Sequence, residues 1–295
     1  SGLHAVFLNA LRAGRKIVMM YKWDTVRALE LISGEKVTAL SLAPAMLLQL
    51  LESPEFDRYD TSSLSSLGAG GSATPARVTA LMREKVSNMY GGTGWGLTET
   101  NSIGTAFTGQ AFNNNPGSAG FKHATVEIEV RDEDGNELPQ GTPGCLWIKT
   151  PTVVSGYWNR PDANAVSFRD GWFDSGDIGY LDENGYLYLS DRAKDMIIRG
   201  GENIYPAEIE AALLEHPGVH EVAAFGLPDE KMGEQVAVTV VPRSNATLSE
   251  DEITQFAKQQ LAAFKVPHRV EIASEPLPRN PAGKVLKHLL KENVQ

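Results

Sequence analysis

The sequence predicts an α/β fold: a partial parallel α/β segment, then an antiparallel, β-barrel-like segment, then a small α+β module. Three observations carry this. Short apolar strands alternate with helices over residues 1–108, the pattern of a parallel sheet. Over residues 109–191, runs of period two are punctuated by Asp-Gly, Pro-Gly and Asn-Gly turns. From residue 192 onward, helices and alternating strands return in a stretch of domain size.

In order, the apolar run 16–20 reads as a buried strand. Asp24 caps a helix over 25–32, with Val26, Leu29 and Ile32 on one face. Residues 37–42 read as a second strand and 44–51 as a helix that ends near Pro54. A third strand over 63–67 runs into Gly68-Ala69-Gly70-Gly71, and Thr74-Pro75 opens a helix over 76–84. In the second segment, 126–130 alternates with period two, and Asp134-Gly135-Asn136 and Glu183-Asn184-Gly185 are turns. In the third, Pro206 begins a helix that ends at His216-Pro217-Gly218. Residues 219–225 and 235–241 alternate as strands. Ser249 and Glu252 stand in capping-box spacing before an amphipathic helix that reaches Leu261.

Composition narrows the function classes. The chain has 295 residues, 42% hydrophobic and 22% charged, an ordinary globular balance long enough for about two domains. The expected division is 1–191 and 192–295. A net charge of −10 is the wrong sign for a duplex-binding surface, so no nucleic-acid partner is expected. Between Lys258 and Gln295, seven Lys/Arg face three Glu: either a solvated helix or a movable basic lobe for a phosphate-bearing ligand. The single cysteine, Cys145, cannot form an internal disulfide. No leader or bilayer-length apolar run is evident, so a cytoplasmic setting without a transmembrane segment is expected. His216 and His220 have metal-like spacing, but Pro217-Gly218 breaks any helix between them, and both read as structural.

Two glycine-rich segments carry chemistry. Gly68 to Ala73 lies between a strand and a helix. As G-x-G-x-x-A it fits a dinucleotide-binding turn, though without the acidic residue such a site needs on a following strand; a tight turn alone explains it equally well. The second segment, Gly91-Gly92-Thr93-Gly94-Trp95-Gly96-Leu97-Thr98-Glu99-Thr100, joins glycines to an aromatic, a hydroxyl and a carboxylate. Trp95 offers a flat face for a planar base and Thr98 a donor to a phosphate oxygen. Glu99 offers an oxygen ligand for Mg²⁺, a hard cation.

Trp95-Gly96-Leu97-Thr98-Glu99 resembles the aromatic-Gly-x-Thr-Glu motif of the adenylate-forming superfamily of acyl-CoA synthetases, luciferases and adenylation domains. Further motifs follow in that superfamily's order: Gly171-Trp172-Phe173-Asp174-Ser175-Gly176-Asp177; Asp191-Arg192-Ala193-Lys194-Asp195-Met196-Ile197; Gly200 to Glu210; and Pro278-Arg279-Asn280-Pro281-Ala282-Gly283-Lys284. The resemblance implies a large domain followed by a mobile C-terminal domain. It implies adenine binding by Gly71, Ser72, Ala73, Trp95, Gly96 and Leu97, and ribose binding by Asp177 and Arg192. It also implies phosphate binding by Thr98, Mg²⁺ on Glu99 and adenylation by Lys284. Lys194 would be the hinge, and Gly200 and Gly201 would line a passage for the pantetheine arm of coenzyme A.

The implied activity is that of an ATP-dependent carboxylic acid–CoA ligase acting on a fatty or aryl acid. An acyl-adenylate forms first and CoA then takes the acyl group, so the cofactors are ATP, Mg²⁺ and coenzyme A. The alternatives are a nucleotide-binding fragment without turnover, a free-standing nonribosomal-type adenylation enzyme and an NAD(P) protein.

Three positions depart from the superfamily pattern: Trp95 replaces a tyrosine, Cys145 replaces the glutamate of Gly-Glu-Leu, and Asp191 replaces the glycine before Arg192. The Ser/Thr/Gly-rich phosphate-binding loop and the Phe-His motif expected upstream have no counterpart in the 295 residues. The expectation is therefore a chain truncated within its large domain, weak or inactive alone, with the N-terminal half as a possible partner.

Overall fold

The computed structural model describes residues 3–70, 74, 76–85, 90–280 and 283–294. The chain divides into two compact units, Ser1–Leu189 and Ser190–Gln295.

The first unit opens with a π-helical turn, Leu3–Leu8, and the short helix α1 (Asn9–Arg12). Residues 16–20, expected as a strand, are irregular. No described strand pairs with them, and an extended segment without a neighbour has no ladder to satisfy its N–H and C=O groups. Met20 still packs against the core, while Met19 is 75% exposed.

Helix α2 (Thr25–Glu35) begins where Asp24 accepts a hydrogen bond from the Arg27 N–H at 2.7 Å. It buries Ala28, Leu29 and Ile32. Strand β1 (Ala39–Leu42) leads to α3 (Pro44–Leu51), which has Pro44 in its first turn and buries Leu47, Leu50 and Leu51. Strand β2 (Ser66–Ala69), α4 (Ala76–Lys85) and β3 (Tyr90–Trp95) complete the parallel part. Its register aligns Ala39 with Ser66 and Ser66 with Tyr90. The helices cover this sheet through Leu29, Ile32, Leu47, Leu50 and Met82, which join Leu67 of β2 in one core, each burial contributing about 1.5–3 kcal/mol.

At β3 the sheet changes character. Strand β4 (Thr105–Thr108) runs antiparallel to it, followed by α5 (Gly109–Asn114), β5 (Ser118–Lys122), β6 (Glu127–Arg131) and β7 (Gly144–Lys149). Then come α6 (Pro161–Ser167), β8 (Phe168–Arg169), β9 (Trp172–Leu181) and β10 (Tyr186–Arg192). The spatial order is β1-β2-β3-β4-β5-β10-β9-β7-β6, with β8 on β9. Among the described residues the antiparallel half does not close into a barrel. It continues the parallel half as one open sheet, because β3 pairs with β2 on one edge and β4 on the other. A second core of Trp95, Val126, Ile128, Leu146, Ile148, Phe173 and Leu187 lies under it.

The second unit holds β11 (Ile197–Arg199), β12 (Glu202–Ile204), α7 (Pro206–Leu214), β13 (Val219–Asp229) and β14 (Gly233–Pro242). It ends with α8 (Glu250–Gln260), β15 (Arg269–Ile272) and α9 (Lys287–Val294). β13 and β14 form a long antiparallel hairpin, and β15 joins β14 in parallel. Period two divides β13 between two cores: Val222 and Ala224 face the α7/α8 layer, and Ala223, Phe225 and Leu227 face Leu277 and Leu290. Ser249 caps α8 by accepting from the Glu252 N–H at 3.2 Å. The Glu252 carboxylate lies 3.4 Å from His216 Nε2, and His216 Nδ1 accepts from the Gly218 N–H, a structural use of this histidine.

Candidate active site

In the first unit, the sites expected from separate motifs meet at Trp95 and Asp177. Trp95 ends β3 and is 5% exposed. Its indole Nε1 donates to Asp177 Oδ2 at 2.7 Å, across 82 residues of sequence. The ring belongs to the core with Ala119, Val126 and Leu187, so the indole is held by packing as well as by Asp177.

Asp177 owes its place to a bulge. Between the β7/β9 pairs Cys145–Ile178 and Trp147–Asp174 the register shifts, leaving Ser175, Gly176 and Asp177 opposite Leu146. Gly176 sits at φ +66°, a conformation other residues rarely adopt. The Ser175 hydroxyl donates to the Leu146 carbonyl at 2.7 Å and accepts from the Asp177 N–H at 3.1 Å. Bulges of this kind re-aim a side chain beside functional sites.

The turn after β3 positions Glu99. Thr98–Thr100 form one 3₁₀ turn, locked by the buried Thr100 hydroxyl against the Leu97 backbone. At Gly96 a Cβ would meet the Ser102 carbonyl oxygen at 2.7 Å, so close backbone approach requires glycine there. Glu99 Oε1 accepts from the Tyr157 hydroxyl at 2.9 Å. Burial, then the Glu99 hydrogen bond and charge, push the Tyr157 phenol up to about 12. Tyr157 is itself fastened by Asn164, whose Oδ1 accepts from the Tyr157 N–H and whose Nδ2 donates to its carbonyl. The sequence reading missed Tyr157: Gly156-Tyr157 is a plain glycine–aromatic pair, and nothing local ties it to a carboxylate 58 residues earlier. Thr98 is exposed at the start of the turn.

Among the described residues no three His, Cys, Asp or Glu side chains form a metal cage. Glu99 fits a different mode. With Oε1 on Tyr157, Oε2 is left as one hard ligand, as Mg²⁺ requires when water and phosphates supply the rest.

Gly71, Ser72 and Ala73 lie outside the described residues. Beside them, Thr74 Oγ1 lies 3.2 Å from Thr93 Oγ1, which donates to the Ala69 carbonyl at 3.0 Å. Thr74, Thr93, Gly94, Ser118 and Leu189 line a small cavity there.

The second unit holds the other expected residues. Asp191 Oδ1 accepts from the Arg192 N–H and Oδ2 from the Ala207 N–H, both at 2.7 Å. Burial raises the Asp191 carboxyl above its ordinary value against the pull of Lys287. Lys194 is exposed in the 3₁₀ turn Ala193–Asp195. Gly200 and Gly201, at φ +61° and +87°, form the two-residue turn between β11 and β12, in the conformation tight hairpins demand. Local turn chemistry is thus sufficient reason for that glycine pair. Lys284 is exposed on a loop closed by the Asn280 N–H to the Lys284 carbonyl (2.9 Å) and the Lys284 N–H to Asn280 Oδ1 (3.0 Å).

Cys145 lies in β7, its thiol pushed up by burial and then by the Asp174 and Glu133 charges. That holds it as an unreactive thiol. Among the described residues no helix is long and apolar enough to cross a membrane.

The AMP-binding enzyme family matches residues 1–158, and the AMP-binding enzyme C-terminal domain matches residues 208–284. The chain is 37% identical over 297 residues to a long-chain-fatty-acid–CoA ligase of Bacillus subtilis, covering 99% of this chain and 52% of that one. It is 36% identical to a 2-succinylbenzoate–CoA ligase of a Geobacillus species, covering 100% and 58%. Among solved structures, it superposes with a TM-score of 0.81 and 34% identity on the O-succinylbenzoate coenzyme A synthetase of Bacillus subtilis in complex with ATP and magnesium ion, covering 96% and 57%. The chain therefore spans little more than half the length of these relatives. The matched regions contain the Trp95, Glu99 and Lys284 motifs, and the chain belongs to the AMP-binding enzyme family of adenylate-forming proteins.

Proposed function

We propose that the whole protein is an ATP-dependent carboxylic acid–CoA ligase for a fatty or aryl acid. In this reading it makes an acyl-adenylate and then transfers the acyl group to coenzyme A. The observation that carries the proposal is the 2.7 Å hydrogen bond from Trp95 to Asp177, which joins the aromatic and ribose motifs in one unit. The CoA ligases among its relatives support the choice of thiol acceptor.

A carboxylate oxygen attacks the α-phosphorus of ATP, the bond to the β-phosphate oxygen breaks, and pyrophosphate leaves. The thiolate of CoA then attacks the acyl carbon and AMP leaves. Charge builds on phosphate oxygens in the first step, so fixed cations and donors lower the barrier. Lys284 supplies a positive charge and Thr98 a hydroxyl donor. Asp177 accepts from ribose hydroxyls, and Arg192 offers guanidinium donors for the same sugar. Adenine binding is assigned to Gly71, Ser72, Ala73, Trp95, Gly96 and Leu97. Glu99 would hold Mg²⁺, which when bound neutralises phosphate charge. Lys194 is the pivot between the two half-reactions, and Gly200 and Gly201 leave room for pantetheine. A reducing, cytosolic setting is proposed on the single cysteine of the 295 residues, Cys145.

The 295 residues alone are proposed to adenylate weakly. Acid-dependent ATP–pyrophosphate exchange, measured on this chain and on the whole protein with fatty and aryl acids, tests the reading. Exchange followed by acyl-CoA formation in the whole protein is expected. AMP release without any acyl-CoA would defeat it.

A further inference from the structure

We infer that Arg279 and Lys287 are positioning residues for Lys284, clamping its loop on one side onto strand β13 and on the other onto helix α7. The inference rests on the proposed adenylating role of Lys284.

On the upstream side, Arg279 uses both arms of its guanidinium. Nη2 donates to Glu221 Oε2 at 2.7 Å and Nη1 to the Gly283 carbonyl at 2.8 Å. Glu221 lies on β13 and is 8% exposed. Arg279 thus ties a buried strand carboxylate to the residue just before Lys284. The Arg279–Val285 antiparallel bridge and the Leu286 N–H to the Pro278 carbonyl (2.8 Å) close the loop's base. On the downstream side, Lys287 begins α9, and its Nζ lies 2.8 Å from Glu210 Oε1. That same oxygen accepts from the Ala224 N–H of β13 at 2.9 Å. Arg279 is thus anchored on β13 directly, and Lys287 on Glu210 of α7, which is itself bonded to β13 three residues further on, while the lysine between them stays exposed.

The apolar contacts of Leu277, Val285 and Leu290 already seat this segment on β13. What the two ion pairs add is orientation. A planar guanidinium with two bonds in fixed directions sets a backbone angle that apolar packing does not. A lysine on a fixed backbone loses less freedom on meeting a charge that develops during reaction. A lysine at position 279 has one ammonium for two acceptors facing different ways, so it keeps the charge and loses the geometry.

The test combines amide hydrogen exchange on this chain with kinetics on the whole protein, for Arg279→Lys, Arg279→Met paired with Glu221→Gln, and Lys287→Met. Exchange at Gly283, Lys284 and Val285 should quicken at least about tenfold, with β13 and β14 unchanged. The adenylation kcat should fall about 10–100-fold while KM for ATP moves less than about threefold. Arg279→Lys should keep the melting temperature without recovering kcat. Unchanged exchange at 283–285, or a rate loss matched by loss of folded protein, overturns the clamp. Full adenylation by Lys284→Ala would instead overturn the role of Lys284, leaving the exchange result to decide whether the clamp orders the loop.

Discussion

The indole N–H of Trp95 and the carboxylate of Asp177 are hydrogen-bonded at 2.7 Å, 82 residues apart in sequence. Both residues are nearly buried, at 5% and 7% exposure, so each satisfies a polar group that has little access to water. The bond fixes which way the carboxylate proposed to bind ribose points.

Trp95→Phe keeps a ring and removes the donor. Leaving a buried carboxylate short of a partner costs about 1–3 kcal/mol, and the denaturation midpoint should fall accordingly. The Kd for AMP, measured by calorimetry, should rise in the same variant. An unchanged Kd would separate this pair from nucleotide binding.

Lys284→Ala removes an exposed side chain, so the melting temperature should stay within about a degree of the parent. Adenylation by the whole protein should fall about 10²–10³-fold, the scale for losing one group that stabilises transition-state charge. ATP–pyrophosphate exchange reads this directly.

Lys194→Pro stiffens the 3₁₀ turn at the proposed pivot. Adenylate formation should be nearly retained, while single-turnover thioester formation slows by an order of magnitude or more. Equal slowing of both half-reactions would remove Lys194 from the role of pivot.

Tyr157 makes stability depend on pH at the alkaline end. Its folded pKa is about 12 against an ordinary phenol value near 10. Between those values the unfolded chain loses its proton first, so stability falls as pH rises from about 10 to about 12. The contribution is constant at neutral pH. Tyr157→Phe should flatten that part of the denaturation profile, and the phenol ionising last in an ultraviolet titration should disappear with it.

Local chemistry made much of the fold legible. Asp24 and Ser249 mark helix starts because a side-chain oxygen satisfies orphan N–H groups. Pro44 and Pro206 open helices because proline costs nothing in a first turn. The alternation of β13 shows because successive side chains face opposite layers. The run 16–20 misled because apolar residues do not make a strand without a neighbour to pair with.

The sequence by itself determined the family motifs, their order and the chemistry each side chain can offer at Trp95, Glu99, Asp177 and Lys284. Only the tertiary structure decided that Trp95 is packed and bonded to Asp177, that Tyr157 holds Glu99, and that Arg279 and Lys287 brace the loop of Lys284. It also decided that the antiparallel strands extend the parallel sheet instead of closing on themselves. The reason is one of range. Caps, turns and periodicity involve neighbours a few residues apart, whereas hydrogen bonds across 58 or 82 residues depend on strand order and register, which no local pattern encodes.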